Sequence, residues 1–344
     1  MSERLADHTT LRLGGPAAEF VVAETQADLI EAVRTADAAG IPLLVLGGGS
    51  NLVVGDEGFD GRVVRVATRG IVDDRNPADD LTCRSGVTVT LQAGEPWDAF
   101  VAHAVTEGWI GIEALSGIPG LVGGTPIQNV GAYGQEVAAS IASVRTWDRG
   151  ENAIRTFAAA DCEFAYRMSR FKAEPYRFVV LEVSFFLREG TLGAPIAYAE
   201  LAKTLGAEVG ARRPLADVRE AVLGLRGGKG MVLDTVDHDT WSAGSFFTNP
   251  IVASAAVPEG APSWPQSEGQ VKTSAAWLID HAGFAKGYGN SRVSLSTKHT
   301  LALTNRGSAT TADLLALAAE IRDGVRTIYG IELVPEPVMI NCRL

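Results

Sequence analysis

Glycine placement is the feature of this chain that points most directly to chemistry. In LGGGSN, residues 46–51, Gly47, Gly48 and Gly49 run directly into Ser50 and Asn51. Glycine tolerates positive φ, so consecutive backbone N–H groups in such a turn can face one concavity and hold a phosphate. Ser50 and Asn51 add side-chain donors. A dinucleotide fingerprint is excluded: the third glycine of G-x-G-x-x-G would fall at Leu52, and LVVGDEGFDG carries no helical stripe. That fingerprint needs a helix N-terminus at the pyrophosphate, whereas here the turn joins two strands. Taken alone, LGGGSN fits a plain tight turn and a phosphate nest equally well. A second segment, SGIPGLVGGTPIQNVGAYG at 116–134, holds six glycines, among them the Gly123–Gly124 pair, together with Gln128 and Asn129, which both donate and accept. A loop of this length inside a compact domain is usually functional. Two backbone-donor loops can hold the two phosphates of a dinucleotide between them.

Other signals fail. LRGGKG, ending at Gly230, is one residue short of a Walker loop and lacks the Ser or Thr after Lys229. No serine sits in a G-x-S-x-G elbow. His8, His103, His238, His281 and His299 lack metal-ligand spacing and read as ordinary surface or core histidines. Cys83, Cys162 and Cys342 are far apart and odd in number, which suggests neither zinc nor a disulfide framework.

The two glycine loops resemble the FAD site of flavoproteins of the vanillyl-alcohol-oxidase type. The fuller resemblance is narrower: LGGGSN (46–51), SGIPGLVGGTPIQNVGAYG (116–134), YRMSRFK (166–172), GSFFTNP (244–250) and VPEP (334–337) occur in the order found in UDP-N-acetylenolpyruvoylglucosamine reductases. Five separated motifs in order are far more specific than any one of them. The resemblance implies an α+β fold: a two-part FAD-binding domain of the PCMH type, followed by an α+β substrate-binding domain.

It also implies a reaction: NADPH reduces the flavin, and hydride then passes to the β-carbon of the enolpyruvyl ether of UDP-N-acetylglucosamine enolpyruvate, giving UDP-N-acetylmuramate for peptidoglycan. By resemblance, Arg167 and Glu336 stabilise the negative charge that develops, and Ser245 protonates the α-carbon. Arginine can grip a carboxylate through two parallel hydrogen bonds. An ionised Glu336 would repel that charge, so it must be protonated or act through an intervening donor. A carbanion is a strong enough base to take a proton from a serine placed beside it.

The FAD contacts implied are Gly47, Gly48, Gly49, Ser50, Asn51, Ser116, Pro119, Gly120, Gly123, Gly124, Gln128, Asn129, Gly131, Ala132 and Tyr133. Substrate contacts implied are Tyr166, Tyr198 (on a loop that closes over substrate in one branch of the family), Lys229 and Asn249. No histidine lies in the glycine loop, so the implied FAD is non-covalent. After the glutamate the family commonly has Val or Ile; here it is Pro337. Two other readings stay open: a flavin oxidase or dehydrogenase of the same fold with another substrate, and a non-catalytic nucleotide-binding protein.

Several elements must position these residues. A helix is expected after Thr25, with Asp28 in its first turn, Leu29, Ile30, Val33 and Ala36 inward, and Gly40 as its stop. Strands are expected at 41–46, 62–66, 86–94, 141–147 and 178–187. Pro96 suits the first turn of a helix carrying Trp97, Phe100, Val101, Ala104 and Val105. Ser274 opens a short helix, 293–305 reads as strands about a turn, and 258–270 as a surface excursion. A long helix begins near Thr310 or Thr311, with Leu314, Leu317, Ala318, Ile321, Val325 and Ile328 buried, and stops at Gly330. The expected division is 1–67 and 68–224 for FAD and 225–344 for substrate, with 331–344 free to pack back on the FAD region.

Composition sets outer bounds. The 344 residues are 46% hydrophobic and 21% charged, which argues against disorder. A net charge of −11 disfavours nucleic-acid binding but permits a local diphosphate site. No apolar run reaches membrane-spanning length and the N-terminus is no signal peptide, so a cytoplasmic enzyme without an obligate protein partner is the expectation.

Overall fold

A computed structural model describes residues 3–75, 86–267 and 269–344; Cys83 lies outside them. The chain folds into two compact units. One comprises Glu19–Gly48 and Gly61–Gly227; the other comprises the chain up to Ala18, Gly49–Asp60 and Gly228–Leu344.

In the first unit, helix Gln26–Ala39 begins with a reciprocal cap. The Thr25 hydroxyl accepts from Asp28 N at 3.1 Å, and Asp28 Oδ2 accepts from Thr25 N at 3.2 Å. Gly40, at φ 66°, ends the helix in the left-handed conformation that favours glycine. Leu29, Val33 and Ala36 are fully buried, Ile30 only partly. Strand Leu43–Leu46 runs parallel to Phe59–Val66, with Leu43 opposite Arg62, and Ala17–Ala23 completes that three-stranded sheet.

A larger antiparallel sheet follows the order Ala153–Ala158, Ile141–Asp148, Phe178–Glu189, Val87–Gln92, Ile71–Asp73. Val87, Val89 and Leu91 alternate inward along the fourth strand and are fully buried. Helix Trp97–Thr106 packs on this sheet, its Trp97 and Phe100 rings 5.8 and 5.3 Å from Phe185. Pro96 flanks this helix in extended conformation rather than forming its first turn.

One helix, Leu215–Gly228, is not evident in the sequence. Its inward stripe of Leu215, Val218 and Val222 ends in an arginine, Arg226, and Gly224, Gly227 and Gly228 blur its periodicity.

The second unit is built from smaller pieces. Val338–Ile340 pairs in parallel with Leu52–Val54, so the final segment lies on the Gly49–Asp60 stretch of its own unit. Ile251–Ala253, Gln270–Thr273 and Ser263–Pro265 form an antiparallel sheet; the excursion 258–270 thus carries an exposed strand. Val293–Leu295 pairs with Leu303–Asn305. Ser274 caps helix Ala275–His281 by accepting from Trp277 N. Helix Thr311–Tyr329 is capped by Thr310 with Asp313 and stopped by Gly330 at φ 66°. Its buried stripe stops at Val325. Ile328, expected inside, is 55% exposed, because Tyr329, four residues after Val325, takes the inward place and packs near Trp277. Among the described residues no helix is long and apolar enough to cross a membrane.

Candidate active site

Each unit carries a group of the expected residues, and each is described by itself.

In the first unit the two glycine loops meet backbone to backbone. A Cβ on Gly48 would lie 2.7 Å from Gly120 Cα, and one on Gly123 2.6 Å from Ala93 Cβ. Only glycine allows such approaches. Gly120 O accepts from Trp97 N, Gly123 N donates to Ala93 O at 2.9 Å and Val122 N to Glu95 O at 2.8 Å, so the loop is stitched to the helix start and the sheet. Ser116 is buried and donates to Glu113 O at 2.7 Å. The buried Glu113 carboxylate accepts from Gly111 N and Ala194 N.

Gly47 and Gly124 differ from their neighbours. A Cβ on Gly124 would meet nothing within 4 Å, and one on Gly47 only Leu121 Cδ1 at 3.9 Å, while neither residue has positive φ. Neither protein packing nor backbone conformation requires glycine there. A ligand resting directly on bare peptide does require it.

The loop ends in a two-residue hairpin. Gly131 pairs with Glu136 and Ala132 with Gln135, and Tyr133 and Gly134 both take positive φ, as a tight primed turn demands. Asn129, expected as an FAD contact, is buried at φ 46°, and its side chain is committed to the protein. Its Nδ2 donates to Glu136 Oε2 at 2.8 Å and Ala165 O at 3.1 Å, while Ala138 N donates to its Oδ1 at 3.1 Å. Asn129 therefore ties the glycine loop to the turn that carries Arg167.

That turn closes by reciprocal hydrogen bonds between Ala165 and Met168, leaving Tyr166 and Arg167 at its tip. Arg167 sits at φ 54°, a left-handed conformation costing a non-glycine residue about 1 kcal/mol or more. It is held by Lys172 Nζ on its carbonyl at 3.0 Å and by its own Nη2 on Gly131 O at 3.0 Å. Tyr198, 45% exposed just before helix Ala199–Thr204, meets Tyr133 edge to face at 5.6 Å.

Sequence reasoning missed three charged groups in this unit. Asp98 pairs with Arg219 at 2.7 and 2.9 Å and accepts from Gly117 N at 2.6 Å. Burial pushes its carboxyl up, but Arg219 and the Gly117 N–H outweigh that and hold it below the usual range. Arg226 is only 8% exposed; burial depresses its guanidinium and Arg167 adds to this, against Tyr133 and Asp98. Arginine keeps its charge regardless. The helical spacing of Arg219 and Arg226 was the available signal, had the helix been recognised.

In the second unit, Gly49 ends the glycine run. A Cβ there would lie 1.9 Å from His8 O, and its φ is +60°; its carbonyl accepts from Thr10 N. Asn51 O accepts from Val338 N at 2.9 Å. The GSFFTNP and VPEP segments, some 90 residues apart, are brought together here. Phe247 bridges Pro335, Phe246 O accepts from Glu336 N at 2.8 Å, and Val334 O accepts from Thr248 N at 3.0 Å. Phe246 and Phe247, each 1% exposed, anchor the pairing. Ser245 and Glu336 flank these contacts and are half-buried. Asn249 Oδ1 accepts from Ala275 N, the first residue of helix Ala275–His281. Lys229 precedes Gly230, whose φ of +65° puts a Cβ 2.9 Å from Asp239 O. Asp239 is in turn held by Thr297 and Arg306.

The open peptide faces at Gly47 and Gly124, beside the tight Gly48–Gly120 contact, suit a flavin dinucleotide. A family model described as FAD binding domain matches residues 17–156. Fold and loops together define a flavoprotein with the two-part FAD-binding fold of the PCMH type. A second model, the C-terminal domain of UDP-N-acetylenolpyruvoylglucosamine reductase, matches residues 235–340.

Over 343 residues the chain is 59% identical to the UDP-N-acetylenolpyruvoylglucosamine reductase of Cutibacterium acnes, covering 99% of this chain and 90% of that protein. Its counterpart from Saccharopolyspora erythraea is 58% identical over 355 residues, covering 99% and 95%. The crystal structure of the Thermus caldophilus enzyme of that name, 28% identical, matches 99% of both chains with a TM-score of 0.67. The chain belongs to the UDP-N-acetylenolpyruvoylglucosamine reductase family.

Proposed function

We propose that this protein reduces UDP-N-acetylglucosamine enolpyruvate to UDP-N-acetylmuramate, with FAD as cofactor and NADPH as hydride donor, for peptidoglycan precursor synthesis. The observation that carries this reading is the close relation, over 99% of the chain, to reductases of that name.

FAD, when bound, supplies the hydride that adds to the substrate's β-carbon. The chain's residues then have three tasks. They would hold the dinucleotide: the peptide groups of Gly47, Gly48, Gly120, Gly123 and Gly124 would donate to its diphosphate, and Gly49, Ser50 and Asn51 extend the same turn. Ser116, Pro119, Gln128, Asn129, Gly131, Ala132 and Tyr133 shape the surrounding wall, Asn129 through its bonds to the Arg167 turn.

The residues also meet the charge. Addition at the β-carbon drives electron density into the substrate carboxylate, to which Arg167 can donate two parallel hydrogen bonds. Glu336 serves the same charge as a protonated acid or through an intervening donor. Ser245 gives its hydroxyl proton to the α-carbon, so the double bond gains one hydride and one proton. Finally, they hold the nucleotide sugar. Tyr166 contacts the substrate, Tyr198 closes over it, and Lys229 meets the diphosphate. Asn249, whose carbonyl oxygen accepts from Ala275 N, would donate from its NH2 group to a phosphate oxygen.

In this reading segments 1–67 and 68–224 serve the flavin and 225–344 the substrate. The enzyme works in the cytoplasm on small molecules, without an obligate protein partner.

Rapid mixing of Ser245→Ala tests the assignment. Reduction of the flavin by NADPH should keep its rate within a few fold, while reoxidation by the enolpyruvyl nucleotide sugar slows by about 10²–10⁴-fold, the usual loss on removing a positioned acid. Equal slowing of both halves would remove Ser245 from the role.

A further inference from the structure

Arg167 sits at the tip of a two-residue turn in a backbone conformation that few side chains adopt. The turn closes between Ala165 and Met168, and its second tip position, at φ 54°, is one that glycine or asparagine ordinarily fills. A strained residue of this kind persists only where its surroundings over-determine it. Asn129 Nδ2 donates to Ala165 O and so fixes the base of the turn. The tip has its own restraint: Lys172 Nζ donates to Arg167 O at 3.0 Å.

Lys172 reaches that carbonyl from a firm platform. Ser169 caps the single turn of helix Arg170–Ala173, accepting from Lys172 N, and donates its own hydroxyl to Ile127 O at 2.5 Å. Phe171, next to the lysine, is buried and meets Phe157 and Phe178 edge to face at 5.5 and 5.9 Å. The lysine stem is therefore rooted in a segment tied both to the glycine loop and to the strands Ala153–Ala158 and Phe178–Glu189. The Arg167 guanidinium in turn lies along Gly131. Its Nη2 donates to Gly131 O at 3.0 Å, and a Cβ on Gly131 would come 3.5 Å from Nη1. Relaxing Arg167 to negative φ would turn its Cα–Cβ bond and carry the guanidinium away from Gly131 O.

We infer that Lys172 is a positioning residue for Arg167: its hydrogen bond to the Arg167 carbonyl maintains the left-handed backbone from which the guanidinium meets the substrate carboxylate. The inference rests on the proposed role of Arg167. A bond from an ammonium to a carbonyl is charge-assisted and so of the stronger sort, and it acts on the peptide group whose rotation would release the strain. Lys172 acts through Arg167 rather than on the substrate.

The test is a double-mutant cycle read in the half-reaction that Arg167 is proposed to serve. The FAD-loaded protein is reduced with dithionite in the absence of oxygen. Its reoxidation by saturating UDP-N-acetylglucosamine enolpyruvate is then followed by flavin absorbance in the wild type, Lys172→Met, Arg167→Met and the double variant. Lys172→Met should slow reoxidation by at least about tenfold, since a misplacement of about 1 Å can cost about 10²-fold. Combined with Arg167→Met it should add less than about twofold, because a residue that acts only through another has nothing left to act on. Should the methionine variant fail to fold, Lys172→Gln, which keeps a neutral donor, carries the same cycle with a slowing of about threefold or more expected. Equal slowing in both arginine backgrounds, or a folded Lys172 variant that reoxidises at the wild-type rate, overturns the inference and leaves the proposed function standing. Loss of folding in both Lys172 variants overturns it as well, the role then being structural. An Arg167→Met protein that reoxidises at the wild-type rate removes the arginine's role and the inference with it. A wild type that the nucleotide sugar does not reoxidise overturns the inference and the proposed function together.

Discussion

The two units hold their own groups of candidate residues by different means. In the first, a continuous five-strand antiparallel run and its aromatic core hold a loop whose peptide groups are the proposed working parts. The Gly48–Gly120 contact, the Gly123–Ala93 bond and the Asn129 side chain all fix backbone. In the second, sheets of two or three short strands accompany one long helix, and the proposed working parts are side chains on extended segments. Phe246 and Phe247 anchor GSFFTNP against VPEP, the segments that carry Ser245 and Glu336. In the proposed reading, backbone binding falls to the sheet-backed loops and side-chain chemistry to two extended segments pinned by buried aromatics.

Breaking each kind of construction should give a different signature. The largest effect belongs to the side-chain half. Glu336→Ala should lower the rate of flavin reoxidation by the nucleotide sugar by about 10²–10³-fold, as loss of one stabiliser of developing charge does, with the flavin still bound. Glu336→Gln, which keeps a donor, should lose clearly less; equal losses would rule out a donating Glu336.

The next effect is conformational. Gly49→Ala places a Cβ 1.9 Å from His8 O at a φ of +60° and should cost about 3–5 kcal/mol in denaturant unfolding. Gly124→Ala, with nothing within 4 Å, should leave unfolding within about 0.5 kcal/mol but reduce FAD affinity if its bare face meets the ligand. Unchanged FAD affinity would take Gly124 out of the cradle. Asn129→Ala removes three side-chain hydrogen bonds at a φ of 46°. It should cost about 3 kcal/mol and raise KM for the nucleotide sugar as the Arg167 turn loosens.

Smaller effects concern pH and thiols. Arg177 holds Asp148 below its usual range in the first unit. In the second, burial pushes Asp239 up but Thr297 and Arg306 outweigh it. Carboxyls with depressed folded pKa contribute stability that is fully present above their unfolded value, near 4, and lost as pH falls through the folded value. Urea midpoints should therefore be flat from about pH 8 to 5 with respect to these groups and fall below about 4. Asp148→Asn should flatten that fall. Last, burial pushes the Cys162 thiol up to about 11, with Asp161 adding to the effect. At pH 8 mass mapping should find it slow toward maleimide until the protein unfolds.

The same contrast explains what the sequence made legible. Capped helices such as Gln26–Ala39 and Thr311–Tyr329 and alternating strands such as Val87–Gln92 announce themselves through local periodicity. So did the glycine loops, because close peptide approaches demand glycine whatever the partner. The helix Leu215–Gly228 stayed hidden because its stripe ends in Arg226 and three glycines interrupt it. Ile328 was misplaced because Tyr329 takes the inward position of the last turn. The pairing of the segments that carry Ser245 and Glu336 depends on hydrogen bonds between stretches about 90 residues apart, which no local pattern encodes; resemblance alone pointed to it.

The most direct test is double-mixing of the unaltered protein under anaerobic conditions. NADPH should bleach the flavin absorbance in the first stage, and UDP-N-acetylglucosamine enolpyruvate should restore it in the second with formation of UDP-N-acetylmuramate. A reduced flavin that this nucleotide sugar leaves bleached, and that only oxygen restores, would contradict the account.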